Sequence, residues 1–159
     1  MRYIRLTEPR ASLAARCVLL DELAPTSCEF LWALAQSRCT LGAIHAMWTG
    51  PEISVPVAEA SVPAGMTGFA PRLENATSYP EAGDIVLSYV PAGSIKGLPP
   101  GALYDVGIFY GSGGRLLMPF GWIMASVCAR IVPEDQREAA TACQVIRRNG
   151  ACNITIQTA

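Results

Sequence analysis

The stretch Ala43-Ile44-His45-Ala46-Met47-Trp48-Thr49-Gly50-Pro51-Glu52-Ile53-Ser54-Val55-Pro56-Val57 decides the fold, and it contains the only histidine of the chain. From Gly42 to Trp48 the residues alternate as a strand does. The chain turns at Thr49-Gly50-Pro51, where glycine and proline supply turn geometry, and a second strand resumes from Glu52 to Val57. The expectation is that this pair runs through the middle of a small β-barrel and presents His45 and Trp48 at or near a pocket.

Outward from this pair the chain offers further strands. Arg2 to Thr7 and Ser12 to Leu20 flank a turn at Glu8-Pro9-Arg10 and predict an opening hairpin. Asp84 to Tyr89, Leu103 to Tyr110, Ile123 to Val132 and Cys152 to Gln157 complete the set. Gly111-Ser112-Gly113-Gly114 lacks the Lys-Ser/Thr tail and following helix of a phosphate loop, so it reads as a hairpin turn. Two helices are expected. Pro25 suits a first helical position, with a competing start at Thr26, whose spacing to Glu29 fits a capping box. Cys28, Leu31 and Ala35, with Phe30 and Leu34 beside them, make that helix apolar enough to close one end of the barrel. Pro133 to Asn149 carries Glu134, Asp135 and Glu138 early and Arg147 and Arg148 late, as the helix dipole favours. Its stripe of Ala139, Ala142, Cys143 and Ile146 ends at Gly150. Ala58 to Gly83 has no periodicity but holds Met66, Phe69, Leu73 and Tyr79, and is expected to form an ordered flap over the site. Pro91 to Gly101 is a second Pro/Gly-rich excursion. The fold class is mainly β (α+β): a closed barrel of about eight mostly antiparallel strands with two helices, in one domain spanning 1–159.

Composition narrows the partners. The chain has 159 residues, 51% hydrophobic and 16% charged, with a net charge of -1. That is a globular composition able to bury a core. The arginines are scattered and form no basic stripe, which argues against nucleic acid. Mean hydropathy is +0.29, yet Pro, Gly or charge interrupts every apolar run short of the ~20 residues of a membrane helix. The apolar surplus points instead to subunit contacts, compatible with a homo-oligomer. Met1-Arg2-Tyr3-Ile4-Arg5 shows no apolar signal core. The six cysteines show no Cys-x-x-Cys pair and no metal-ligand spacing, so free thiols in a reducing cytoplasm are expected, with no metal and no cofactor. The sequons at Asn75 and Asn153 then carry no glycan.

Two resemblances follow from particular residues. Ala24-Pro25-Thr26-Ser27-Cys28-Glu29-Phe30 to Leu34, between an opening hairpin and the strand with His45, resembles the first helix of cyclophilins. Leu23-Ala24-Pro25, His45-Ala46-x-Trp48-x-Gly50, Glu74-Asn75, Tyr79-Pro80-x-x-Gly83-Asp84 and Phe109-Tyr110-Gly111 together resemble a family of uncharacterised bacterial and archaeal proteins. The resemblance implies a closed cyclophilin-like β-barrel with a helix at its end. It departs from cyclophilins at Ala46, where they carry an arginine that supports twisting of the prolyl amide. A methyl group cannot hydrogen-bond that amide, which argues against prolyl isomerase activity.

The candidate site residues are few. His45 titrates near neutrality; the residues alone favour a structural histidine held by a backbone carbonyl, and the family motif around it sets a functional place level with that role. Trp48 is pocket wall or core. Glu74 and Asp84 flank the flap, Asn75 offers donor and acceptor, and Tyr110 ends a strand where it can face the barrel mouth. Turn chemistry is the competing role for Asp84 and Asn75. No nucleophile motif accompanies the lone histidine. His45 with Glu74 is the expected acid–base pair for proton transfer on a small polar molecule, with Trp48, Asn75, Asp84 and Tyr110 as ligand contacts. The leading expectation is therefore a small-molecule-binding barrel, an enzyme or accessory protein of small-metabolite catabolism. The alternatives are a prolyl isomerase or peptide binder and a non-catalytic oligomeric module.

Overall fold

Period-two alternation of apolar residues carries through the chain and builds a sheet that closes on itself. The computed structural model describes residues 1–98 and 100–159, so Pro99, within the Pro91–Gly101 excursion, lies outside the described residues. The strands are β1 (Tyr3–Glu8), β2 (Leu13–Leu19), β3 (Cys39–His45), β4 (Glu52–Val57), β5 (Ala76–Thr77), β6 (Asp84–Val90), β7 (Leu103–Phe109), β8 (Leu117–Met118), β9 (Gly121–Trp122), β10 (Ala125–Ile131) and β11 (Cys152–Thr158). The helices are α1 (Pro25–Gln36) and α2 (Pro133–Asn149).

Eight of these strands run in the order β2-β1-β11-β3-β4-β7-β6-β10, and β10 returns to pair with β2. Cys17, Val18 and Leu19 meet Ile131, Arg130 and Ala129 at that closure. All barrel pairings are antiparallel. The barrel is therefore closed and leaves no free edge among its eight strands. The two-residue β5 adds to β10 outside the ring, and β8 with β9 forms a separate small hairpin.

Inward-facing positions alternate along each strand, as the pleat requires. Ile4 and Leu6, Leu41 and Ala43, Ile53 and Val55, Ile85 and Leu87, Val106 and Ile108, and Ile154 and Ile156 fill the interior. The helices cover opposite ends of this core. Phe30 of α1 stacks on Tyr104 near the start of β7, with ring centroids 4.6 Å apart. At the other end, Cys143 and Arg147 of α2 lie close enough to perturb Tyr110, just past the end of β7.

The α1 start differs from the capping-box expectation. Ala24 precedes the helix without a side-chain cap, and Thr26 turns its hydroxyl and its backbone N–H toward Glu74 at 3.0 and 2.9 Å. A carboxylate brought in from a distant loop satisfies the free amide end of the helix. The expected helix 133–149 is present with those bounds.

Candidate functional site

The outward face of β3, β4, β7 and β6 is partly covered. Along β4 the outward residues are Glu52 and Ser54, along β7 Asp105 and Gly107, along β6 Ser88, and on β3 Ile44. Antiparallel registers place Ser54 opposite Ile44 on one side and Gly107 on the other, and Ser88 opposite Asp105. The segment after β7 folds back over this face. It brings Leu116, Met118, Phe120 and Ile123 above the sheet and encloses a cavity of about 220 Å³. Ile44, Trp48, Val90 and Leu103 complete its apolar wall, while Thr49, Glu52, Ser54, Ser88 and Asp105 form a polar floor.

The roof is tied down at both ends. Arg115 donates its backbone N–H to Thr49 at 3.0 Å, and Leu116 donates to Ser78 at 2.8 Å. Ser78 in turn gives its hydroxyl to the Ile123 carbonyl at 2.8 Å. Beneath the roof, Val86, Phe109, Leu116, Ala125 and Val127 make a second apolar cluster, separate from the barrel interior. Gly114 is required by this closeness, since a Cβ there would strike the Pro80 carbonyl and the Phe109 ring. The roof therefore belongs to residues 111–124, which alternation alone reads as a bare hairpin turn and the start of a strand. The Ala58–Gly83 excursion, the expected flap, lies elsewhere. Val62, Met66 and Phe69 pack on the interior core, and the Phe69 carbonyl accepts the Tyr104 hydroxyl at 2.6 Å, so this excursion covers the α1 end of the barrel. It reaches the roof through Ser78, Pro80 and Tyr79, whose ring stands 5.3 Å from that of Trp122.

Glu52 is the most constrained polar group of the floor. It is only 6% exposed, and one carboxyl oxygen accepts the Thr49 hydroxyl. The carboxyl lies across Gly107, where a Cβ would collide with Oε1 of Glu52 and come within 2.9 Å of Val86. Glycine at 107 thus makes room for the acid. Burial pushes Glu52 up to about 7, the Thr49 hydroxyl opposing and the nearby Asp105 adding to the rise. Asp105 is also raised by burial, against hydrogen bonds from the Ser54 hydroxyl at 2.6 Å and the Val55 N–H at 3.0 Å.

The sequence-derived candidates divide into two groups. His45 and Trp48 are both at the cavity wall. His45 shares the inward face of β3 with Leu41 and Ala43, at the end of the strand, so its ring turns toward the α2 end of the barrel. Nδ1–H donates to the Ala46 carbonyl at 2.8 Å, which leaves Nε2 to accept the Tyr110 hydroxyl at 2.9 Å. Burial lowers the imidazole pKa; the Ala46 carbonyl opposes this and the Arg147 charge adds to it, so the ring is neutral at neutral pH. Tyr110, itself raised by burial, is positioned by the same pair.

Glu74, Asn75 and Asp84 are not brought to this cavity. Glu74 takes two hydrogen bonds from Thr26 at the start of α1 and is not among the residues that line the cavity with His45. Asn75 adopts φ 45° and donates its side-chain amide to the Val127 carbonyl at 2.9 Å, holding a bend beside β10. Asp84, 3% exposed, pairs with Arg130 at 2.8 Å and accepts the Glu81 N–H at 2.9 Å. All three work in loop and helix-end chemistry.

Against known proteins, a family model described as "Protein of unknown function (DUF3830)" matches residues 6–158. The chain belongs to that family. No curated protein matches it. Among solved structures, McbB in complex with tryptophan superposes with a TM-score of 0.60 at 16% identity over 97% of this chain. The match covers 44% of McbB, so the chain spans less than half the length of that protein. The solution structure of the hypothetical protein AF2241 from Archaeoglobus fulgidus gives a TM-score of 0.55 at 14% identity, covering 99% of this chain and 95% of that one. At such identities the likeness is one of fold, and it supports the barrel.

For this DUF3830 member, sequence reasoning missed Glu52, Ser54, Ser88 and Asp105. Their polar-out alternation looks like an ordinary solvent face. The available signal lay downstream: seven of the nine residues from Leu116 to Met124 are large and apolar, too many for an uncovered turn. Among the described residues no group of three or more His, Cys, Asp or Glu side chains could hold a metal. Among the described residues no helix is long and apolar enough to cross a membrane, and all six cysteines are free thiols.

Proposed function

We propose that the roofed cavity on the outer flank of the barrel is a binding site for a small molecule with an apolar body and a polar head. One observation carries this reading: a buried acid, Glu52, opens onto an enclosed space whose other walls are apolar. Polar groups withdrawn from water without full pairing are costly, and binding sites combine apolar walls with a few convergent polar groups. The volume of about 220 Å³ lies below the ~300–1,000 Å³ typical of drug-sized ligands, which suits a metabolite. McbB was solved with tryptophan bound, a compact molecule of this general kind. In this reading the Glu52 carboxyl is the acid of the site, while His45 and Tyr110 fix the turn that carries Trp48 and Thr49.

The test is a melting screen against a metabolite library, with wild type and a Ser88→Leu variant that fills the floor. A ligand at 100 times its dissociation constant adds ~2.7 kcal/mol of stability. The expected result is a stabilised wild type and an unresponsive variant. A shift equal in both proteins, or none with any compound, overturns the reading. Prolyl isomerisation is a weaker reading, because Ala46 and no arginine stands among the described residues lining the cavity. Assembly has one observation in its favour. Met47, Trp48, Phe120, Trp122 and Met124 are exposed around the cavity mouth, and sedimentation of the full chain measures whether they are shared with a second copy.

A further inference from the structure

We propose that the ligand of this cavity is a small amine, held as its ammonium by Glu52 and Asp105 with an aromatic or alkyl body against Trp48, Met118 and Phe120. This rests on the reading of the cavity as the ligand site and adds the charge of what enters it.

The first support is an imbalance of charge. Two carboxyls, Glu52 and Asp105, line one enclosed space, and no lysine or arginine lines it among the described residues. The charged and titratable groups around Glu52 are Asp105 on β7, His45 at the end of β3 and Arg115 at the start of the roof. His45 is engaged with Ala46 and Tyr110, and exposed Arg115 donates to the Gly113 carbonyl at 3.4 Å. Of the roof, Leu116, Met118, Phe120 and Ile123 line the cavity and Arg115 does not.

The second support is an open acceptor. Asp105 receives hydrogen bonds on both oxygens, from Ser54 and Val55. Glu52 receives one, from Thr49 on Oε2. Among the described residues nothing donates to Oε1, although the residue is 6% exposed. A buried carboxylate demands a donor or a cation. Gly107 leaves that oxygen the room it occupies, and on β7 it lies between Phe109, opposite Glu52, and Asp105. A primary ammonium has three donors, enough for Glu52 Oε1, a second lone pair on Asp105 and a hydroxyl of Ser54 or Ser88. Among the described residues no third His, Cys, Asp or Glu joins the two carboxyls as a metal ligand. Trp48 and Phe120 supply ring faces suited to a cationic or aromatic ligand.

Because burial holds Glu52 near neutrality in its protonation, an entering ammonium favours the carboxylate and expels a proton. Affinity for an amine therefore rises by up to roughly tenfold per pH unit below pH 7 and levels off above about 8. The experiment compares 2-phenylethylamine, 2-phenylethanol and phenylacetate by calorimetry, from pH 6 to 8 and in two buffers of different ionisation enthalpy. The amine is expected to bind at least about tenfold tighter than the alcohol, to release protons, and to lose both preference and pH dependence in Glu52→Gln. A wild-type far-UV circular dichroism spectrum and a single cooperative melting transition show that this variant is folded. Alcohol or phenylacetate binding as tightly as the amine overturns the inference and leaves the cavity reading standing. The same holds if library compounds bind but neither this amine nor a wider set of alkyl and aryl amines does. If nothing binds at all, both fall.

Discussion

The two faces of the sheet β3-β4-β7-β6 share one backbone and have opposite chemistry. Inward, Ala43, Ile53, Val55, Val106, Ile108, Ile85 and Leu87 are apolar and buried. Outward, Glu52, Ser54, Asp105, Gly107 and Ser88 are polar or small. In most antiparallel sheets that outward pattern meets water. Here Glu52 is as buried as many interior residues, because residues 111–124 return over it. The lesson is that an outward polar residue is uninformative until its cover is known; buried polarity is what marks a site.

Substitutions on the two faces test this contrast. The largest effect is expected inside: Ile108→Ala removes a fully buried side chain and costs about 2–5 kcal/mol in urea unfolding. A cost under 1 kcal/mol breaks the assignment of the inner face. On the outer face, Glu52→Gln acts through pH. Glu52 is raised in the folded state to about 7 from its ordinary 4.5, so its contribution is fully present below about pH 4.5 and lost as pH rises through 7. Wild type should lose on the order of 3 kcal/mol of stability over that window from this group. Asp105, raised for the same reason, acts in the same direction. The Gln variant should show a flatter stability profile; identical profiles place Glu52 in water. Glu74→Ala should cost about 0.5–2 kcal/mol by releasing the α1 amide end, with every ligand-induced melting shift unchanged. Loss of that shift would return Glu74 to the site. The smallest effect on stability belongs to Phe120, 41% exposed in the roof. Phe120→Ala should change unliganded stability within about 0.5 kcal/mol while weakening ligand binding several-fold or more, read by titration.

Much of the barrel is legible in the chain because its rules are local. Pro133 and Gly150 bracket α2, acids and arginines sit at its correct ends, and alternation marks each long strand. The turn at Thr49-Gly50-Pro51 likewise announces the hairpin carrying His45 and Trp48. The short strands β5, β8 and β9 are not legible, because two residues have no period. The cavity floor is not legible for a different reason. Whether Glu52 and Asp105 face solvent or a ligand depends on a segment about sixty residues after Glu52, and no local pattern contains that information. Glu74 illustrates the converse: a polar residue in a motif reads as chemistry until Thr26 is found beside it.

The position of β11 has a consequence for how the molecule is made. This strand lies between β1 and β3, so residues 152–158 are inserted between two of the first strands to leave the ribosome. Until they arrive, β1 and β3 present unpaired backbone to one another and to neighbouring nascent chains. Ring closure must therefore wait for translation to reach this strand, and the interval before it is the one in which unpaired strand edges are exposed to aggregation.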